Sequence, residues 1–277
     1  MNFFNIINQL AEVDPDVMGR LDSRRAVFNS LTMTGKRVAL AATPALLASF
    51  FSKAYAGTTA GDSKEVFNYA LTLEYLEADF YNKMIASPLF ATASDVDRAA
   101  IQQISKHETA HVNLLKTVIS GIGGTPNAPV TFKAATFATY KTFAEQLVVA
   151  QLLEDTGVRA YKGRAGDLQG IADVNIAGVG MVNPLQAALQ IHSVEARHAA
   201  HIRYMRGQTP WISGDGDLDG QEHYKGAIPE SNTTQSMVDI TKLGSGYSPK
   251  DAQASFDEIL TVAEVTAPSR AGGLIGA

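Results

Sequence analysis

Two Glu-x-x-His pairs, Glu108 with His111 and Glu195 with His198, put a carboxylate and an imidazole three residues apart. On a helix that spacing places both on one face. Their neighbours say which face it is. Ile101, Ile104, Glu108, His111, Leu115 and Val118 advance in alternating steps of three and four, as do Ala188, Ile191, Glu195, His198, Ile202 and Met205. This is the seam that a helix turns toward a bundle core. Ionisable groups therefore occupy core positions, and an unpaired buried charge is expensive. The partner that suits carboxylates and imidazoles facing one another is a pair of divalent metal ions.

Two further seams complete the set. Phe67, Ala70, Glu74, Glu77, Tyr81 and Met84 form one, and Phe143, Leu147, Ala150, Glu154, Gly157 and Tyr161 the other. In each, a Glu is followed seven residues later by a Tyr. Glu74 precedes Glu108 by 34 positions and Glu154 precedes Glu195 by 41. The chain thus holds an internal repeat: a helix with Glu and Tyr, then a helix with Glu-x-x-His. Glu77 departs from the repeat because Gly157 stands at its counterpart position. Its side chain reads either as an auxiliary base or ligand, or as an outward-facing surface carboxylate. His107, His192 and His201 fall off the seams, where surface or capping roles are expected.

The elements that must carry these residues have recognisable ends. The first helix is expected to start near Asp62, with Glu65 completing a capping box, and to stop before Pro88. The second is expected from Ser94-Asp95 to Gly121, and the third from between Ala134 and Thr139 to near Gly163. The fourth is expected from Asn183-Pro184 to about Arg206. The Gly- and Pro-containing stretch between helices two and three is long enough to cross the bundle.

Composition limits the chemistry. With 277 residues, 45% of them apolar, there is material for a substantial core, and a net charge of −5 gives no reason to expect nucleic acid. The absence of cysteine excludes disulfides, thiolate metal sites, iron–sulfur clusters and a cysteine nucleophile. Any metal must be held by oxygen and nitrogen.

These residues resemble the ferritin-like superfamily of di-iron and di-manganese carboxylate proteins. There, two helices each give a Glu and the other two each give Glu-x-x-His. The resemblance covers roughly Asp62 to Arg206. The segments 70–81, 154–161 and 192–198 are similar to a branch of exported bacterial ferritin-like proteins and plant desiccation-related proteins. It implies an all-α, ferritin-like four-helix bundle with a long crossover between helices two and three, and two divalent ions, iron or manganese. Glu74 and Glu154 would be terminal ligands, Glu108 and Glu195 would bridge, and His111 and His198 would give one nitrogen each. Tyr81 and Tyr161 would donate hydrogen bonds beside them, and Glu77 would act as a base or extra ligand. The implied partner is a small oxidant, oxygen or peroxide, in stress protection; the alternative is a non-catalytic stress or surface protein with a structural or absent metal. Iron storage in a cage fits the long loops and tail less well, and self-association is left open.

Outside the bundle, residues 1–56 read as a leader. Ser23-Arg24-Arg25 precedes an apolar run from Val38 to Phe51, too short to span a bilayer. Ala54-Tyr55-Ala56 then offers a small-x-small cleavage pattern before Gly57. This looks like a twin-arginine export signal, with a periplasmic or cell-surface destination. A retained helix packing on the domain is the alternative. Residues 57–206 form the expected bundle, and residues 207–277 a loop-rich extension with one helix starting at Ser248-Pro249. Asp215 to Gly220 opens like a calcium loop, but the twelfth position is Gly226 rather than Glu, so it reads as a solvated acidic turn.

Overall fold

The fold is known from a computed structural model that describes residues 63–213 and 221–276. The expected leader, the Asp62 cap and the acidic turn at Asp215–Gly220 lie outside the described residues. Four long helices carry the seams: α1 Ser63–Ala86, α2 Asp95–Gly121, α3 Phe143–Arg164 and α4 Pro184–Met205. Local chemistry sets their starts. Ser94 accepts a hydrogen bond from the Asp97 amide to open α2, and Asn183 accepts from the Gln186 amide, with Pro184 in the first turn, to open α4. Helix α3 starts later than its sequence suggests. Thr142 and Glu145 form a reciprocal capping box, and Ala134–Phe137 is only a separate single turn.

Side-chain pairings give the helix directions. Tyr81 meets Glu154 while Tyr161 meets Glu74, so α1 and α3 run antiparallel. His111 lies beside Glu195 and His198 beside Glu108, so α2 and α4 do too. Since α1 turns directly back into α2 through the 3₁₀ turn Pro88–Thr92, α2 and α3 must run the same way. Their connection has to travel the bundle's length, and it does so along α1. The Asn127 amide donates to Asn68 Oδ1 at 2.7 Å and the Phe132 amide to Asp79 Oδ2 at 2.7 Å. The Phe132 ring then packs 5.0 Å from Phe80, and Phe143 arrives beside Phe90. Helices α3 and α4 are joined through a hairpin of β2 (Val174–Ile176) and β3 (Gly180–Val182).

Two large apolar clusters make up most of the core, beside a small third one of Leu152, Ile212 and Tyr224. One contains Leu76, Phe80, Met84, Ile101, Ile104 and Leu147; the other contains Phe67, Leu71, Leu115, Val118, Ile119 and Ile191. Side chains such as Leu71, Leu76 and Phe80 are fully buried, each contributing roughly 1.5–3 kcal/mol from apolar burial. Between the clusters sits a polar layer. No helix among the described residues is long and apolar enough to cross a membrane.

The C-terminal segment is built into this bundle. It carries three single-turn helices, α5 Pro249–Gln253, α6 Val262–Val265 and α7 Ala271–Leu274, where the sequence suggested one. The reason is that its backbone is committed elsewhere. Buried Arg159 of α3 pairs with Glu230 at 2.7 Å and donates to the carbonyls of His223, Ile228 and Glu258, while the Leu260 amide donates to the Arg159 carbonyl. Carbonyls held by a guanidinium are not free to continue a helix. A second buried pair, Arg203 with Asp155, is closed by the Tyr224 hydroxyl. The chain end adds strand β4 (Ile275–Gly276), antiparallel to β1 (Thr131–Phe132) of the crossover. This gives a structural role to the small apolar end Gly272–Ile275.

Gly163 makes the docking possible, because a Cβ there would lie 2.2 Å from the Leu260 carbonyl oxygen. Ala is normally the better helix residue by about 1 kcal/mol. Gly163→Ala should nevertheless destabilise the protein by about 1–3 kcal/mol, the cost of overpacking, as read from the denaturant midpoint. A stabilised variant would mean that the tail does not lie on α3.

Candidate metal centre

The polar layer collects every residue that the seams singled out. Glu74, Glu77, Glu108, His111, Glu154, Glu195 and His198 are all buried, and four of the five carboxylates have no exposure at all. The imidazoles come from α2 and α4 and the tyrosines from α1 and α3, so the layer has a nitrogen side and a phenol side. His111 Nδ1 is 3.1 Å from Glu74, 3.2 Å from Glu108 and 3.0 Å from Glu195. His198 Nδ1 is 3.2 Å from Glu154, 2.9 Å from Glu108 and 3.8 Å from Glu195. The two environments are related by an approximate two-fold that exchanges the halves of the sequence repeat.

Two groups of donor atoms result, each drawn together within 4.8 Å: Glu74, Glu108, His111 and Glu195, and Glu108, Glu154, Glu195 and His198. Glu108 and Glu195 belong to both. Tyr161 donates to Glu74 Oε1 at 2.5 Å and Tyr81 donates to Glu154 Oε1, so each unshared carboxylate keeps one oxygen occupied by a phenol. The shared pair is different. Glu108 Oε1 and both oxygens of Glu195 are buried without a hydrogen-bond partner, since the nearby ring nitrogens are close but not aligned to donate. Buried acceptors are rarely left so. The buried carboxylate and imidazole clusters therefore allow metal binding, and the orphaned oxygens are those of the two residues that both groups share.

Electrostatics point the same way. Five acids face two imidazoles, so even two imidazolium ions leave an excess of three negative charges if every acid ionises. Protons absorb the excess when no cation is present. Burial, then repulsion from Glu195 and Glu154, pushes Glu108 well above the usual carboxylate range. Glu77 is raised by the same causes in the same order. Burial lifts Glu154 to about 7 against the attraction of His198. Burial and Glu74 also push Glu195 upward, but the adjacent imidazoles outweigh them and hold it below its ordinary value. The two shared acids are thus pushed in opposite directions. Burial disfavours the charged form of His111, yet Glu108, Glu195 and Glu74 overcome it and drive the ring up to about 12. His198 is raised as well, against burial, chiefly by Glu154. Burial and the adjacent carboxylates raise both tyrosines, so they stay neutral donors.

Glu77 faces inward. A Cβ on Gly157 would lie 3.3 Å from Glu77 Oε1 and 3.6 Å from Glu195, so the missing side chain makes room for this carboxyl. Of the three histidines set aside from the seams, His192 is half-buried and His201 is exposed. His107 was missed: its Nδ1 lies 2.9 Å from His198 Nε2. The Asp155–Arg203 pair beside Glu154 was missed too. An imidazole immediately before the Glu of a Glu-x-x-His pair was the available signal for the first.

The four-helix architecture, the crossover and the inward Glu and Glu-x-x-His residues define a carboxylate-bearing helical bundle. A model of the ferritin-like domain matches residues 62–208, more than half of the chain, and the protein belongs to that ferritin-like family. No curated protein matches the chain.

The charge balance predicts how the metal-free fold responds to pH. A carboxyl whose folded pKa lies above its unfolded value takes up a proton on folding, so its contribution weakens stability as pH rises. For Glu154 that interval is 4.5 to about 7, and His111, raised from 6.5 to about 12, extends the same sign upward. In chelator, Glu154→Gln should gain on wild type in melting temperature between pH 5 and pH 7. A constant difference between the two across that range would contradict the assigned charge states.

Proposed function

We propose that this chain holds two divalent metal ions, iron or manganese, and reacts with oxygen or peroxide in stress protection. The observation that carries this reading is the trio of buried, unpartnered oxygens on Glu108 and Glu195, the two residues common to both donor groups. Glu74 and His111 would hold one ion, Glu154 and His198 the other, and Glu108 and Glu195 would bridge them. Carboxylate and imidazole donors without thiolate suit iron or manganese. When bound, such metals supply electrons and Lewis acidity to a small oxidant.

The protein's own groups prepare the site for that. Tyr81 and Tyr161 keep a proton on the oxygen that touches Glu154 and Glu74, which fixes those carboxylates and offers a proton at each end. Glu77, which burial and the neighbouring carboxylates push above the usual carboxylate range, stands beside Glu195 as a further place for a proton. A small, largely apolar cavity lined by Phe67, Ala70, Leu73 and Ala160 backs Tyr161. One observation favours a non-catalytic reading instead: the imidazoles already sit among the carboxylates and offset part of their charge.

Metal content and turnover separate the two. Wild type should bind about two ions per chain, and the double substitution Glu108→Ala, Glu195→Ala should bind none. Iron- or manganese-loaded wild type should consume peroxide or oxygen faster than Glu154→Ala. Unchanged metal content in the double variant would sink the site, and equal consumption would leave a structural metal.

The same reading places the protein outside the cytoplasm, on the strength of Ser23-Arg24-Arg25 and Ala54-Tyr55-Ala56. The twin-arginine route carries folded chains, which suits one that takes up its metal first. Mass spectrometry of protein from the native cell envelope should find a start near Gly57. Finding Met1 intact there would make the leader a retained segment.

A further inference from the structure

Besides Glu77, the approximate two-fold of the site fails at a second position outside the ligand set. His107, immediately before Glu108 on α2, has its Nδ1 2.9 Å from His198 Nε2. The two rings lie within 10° of parallel with centroids 5.2 Å apart. Nitrogens 2.9 Å apart are too close for rings stacked face to face, so these rings meet edge to edge, in line with a ring-to-ring hydrogen bond. The outer nitrogen of His107, Nε2, lies 2.8 Å from the Gln103 side-chain amide, near the surface. The counterpart position on α4, immediately before Glu195, is Val194. Valine has no group that could do the same for His111.

Resting on the metal reading above, we infer that His107 is a positioning residue for His198 alone, and that it makes the two metal positions unequal. His198 points Nδ1 at Glu108 and Glu154 and Nε2 at His107. Imidazole binds metal through a nitrogen that carries no proton, so a ligating Nδ1 requires the ring proton on Nε2. His107 Nδ1 is placed to accept it, and the Gln103 amide oxygen, turned inward, accepts from His107 Nε2 in turn; the placing of amide O and N is interchangeable here. The pair fixes both the tautomer and the plane of the His198 ring. His111 gains no such support from α4. The position shared by Glu154 and His198 is therefore the better organised, and it fills first.

Losing an outer partner of a ligating histidine typically costs 10–100-fold in metal affinity. The test is anaerobic titration of the full chain with Co(II), followed by its visible absorption, and with Mn(II) by equilibrium dialysis. Wild type should show two resolvable steps. His107→Ala should weaken one step by about 10–100-fold and leave the other in place, so that the steps merge or change order. His107→Gln, whose amide oxygen can still accept from His198, should recover most of the loss. Far-UV circular dichroism and melting of the metal-free variants control for folding. If His107→Ala leaves both steps unchanged, or weakens both equally, the inference is overturned while the metal site stands. If wild type binds no metal, both fail together.

Discussion

Burying five carboxylates around two imidazoles is the constraint on which the rest of this structure depends. No protein interior tolerates that much like charge without compensation, and the fold supplies it in layers. Phenols cap the outer acids, burial and mutual repulsion shift Glu77 and Glu108 toward their protonated forms, and the imidazoles are drawn toward their charged form. What is left uncompensated is concentrated on Glu108 and Glu195, at the centre. A bundle with apolar clusters on either side of such a layer is stabilised by its ends and strained at its middle.

That layer also explains the architecture. Two seams must bring Glu and Tyr and two must bring Glu-x-x-His, with each Tyr reaching the Glu of the opposite half. Only antiparallel α1–α3 and α2–α4 pairs achieve this, and that geometry forces the connection between α2 and α3 to run the length of the bundle. The crossover is therefore a consequence of the site. The C-terminal segment closes over α3 through Arg159, Asp155 and Gly163, next to Glu154. It fixes the helix that contributes Glu154 and one phenol.

The fold and the residues of the buried polar layer were legible because both rest on period. Steps of three and four mark the seams, and a Glu–Tyr spacing of seven repeated in each half marks which seams face one another. Helix ends were readable where a side chain caps them, as at Ser94 and Asn183, and misread at Thr142, where an earlier stretch also looks helical. What escaped notice depends on geometry between helices. His107 becomes a partner of His198 only through the approach of α2 to α4. Glu77 is admitted to the core by the absence of a side chain at Gly157. The clamp of Arg159 on the tail uses backbone carbonyls, which leave no mark on the residue pattern at all.

The central claim is that cations complete the charge balance at Glu108 and Glu195. Anomalous diffraction from crystals of protein purified without added metal tests it most directly. The account predicts two peaks, about 3.5–4 Å apart as in two-metal sites, flanked by the Glu108 and Glu195 carboxylates, with His111 and His198 on opposite ions. A well-ordered layer with no anomalous peak, even after iron or manganese is soaked in, would contradict it.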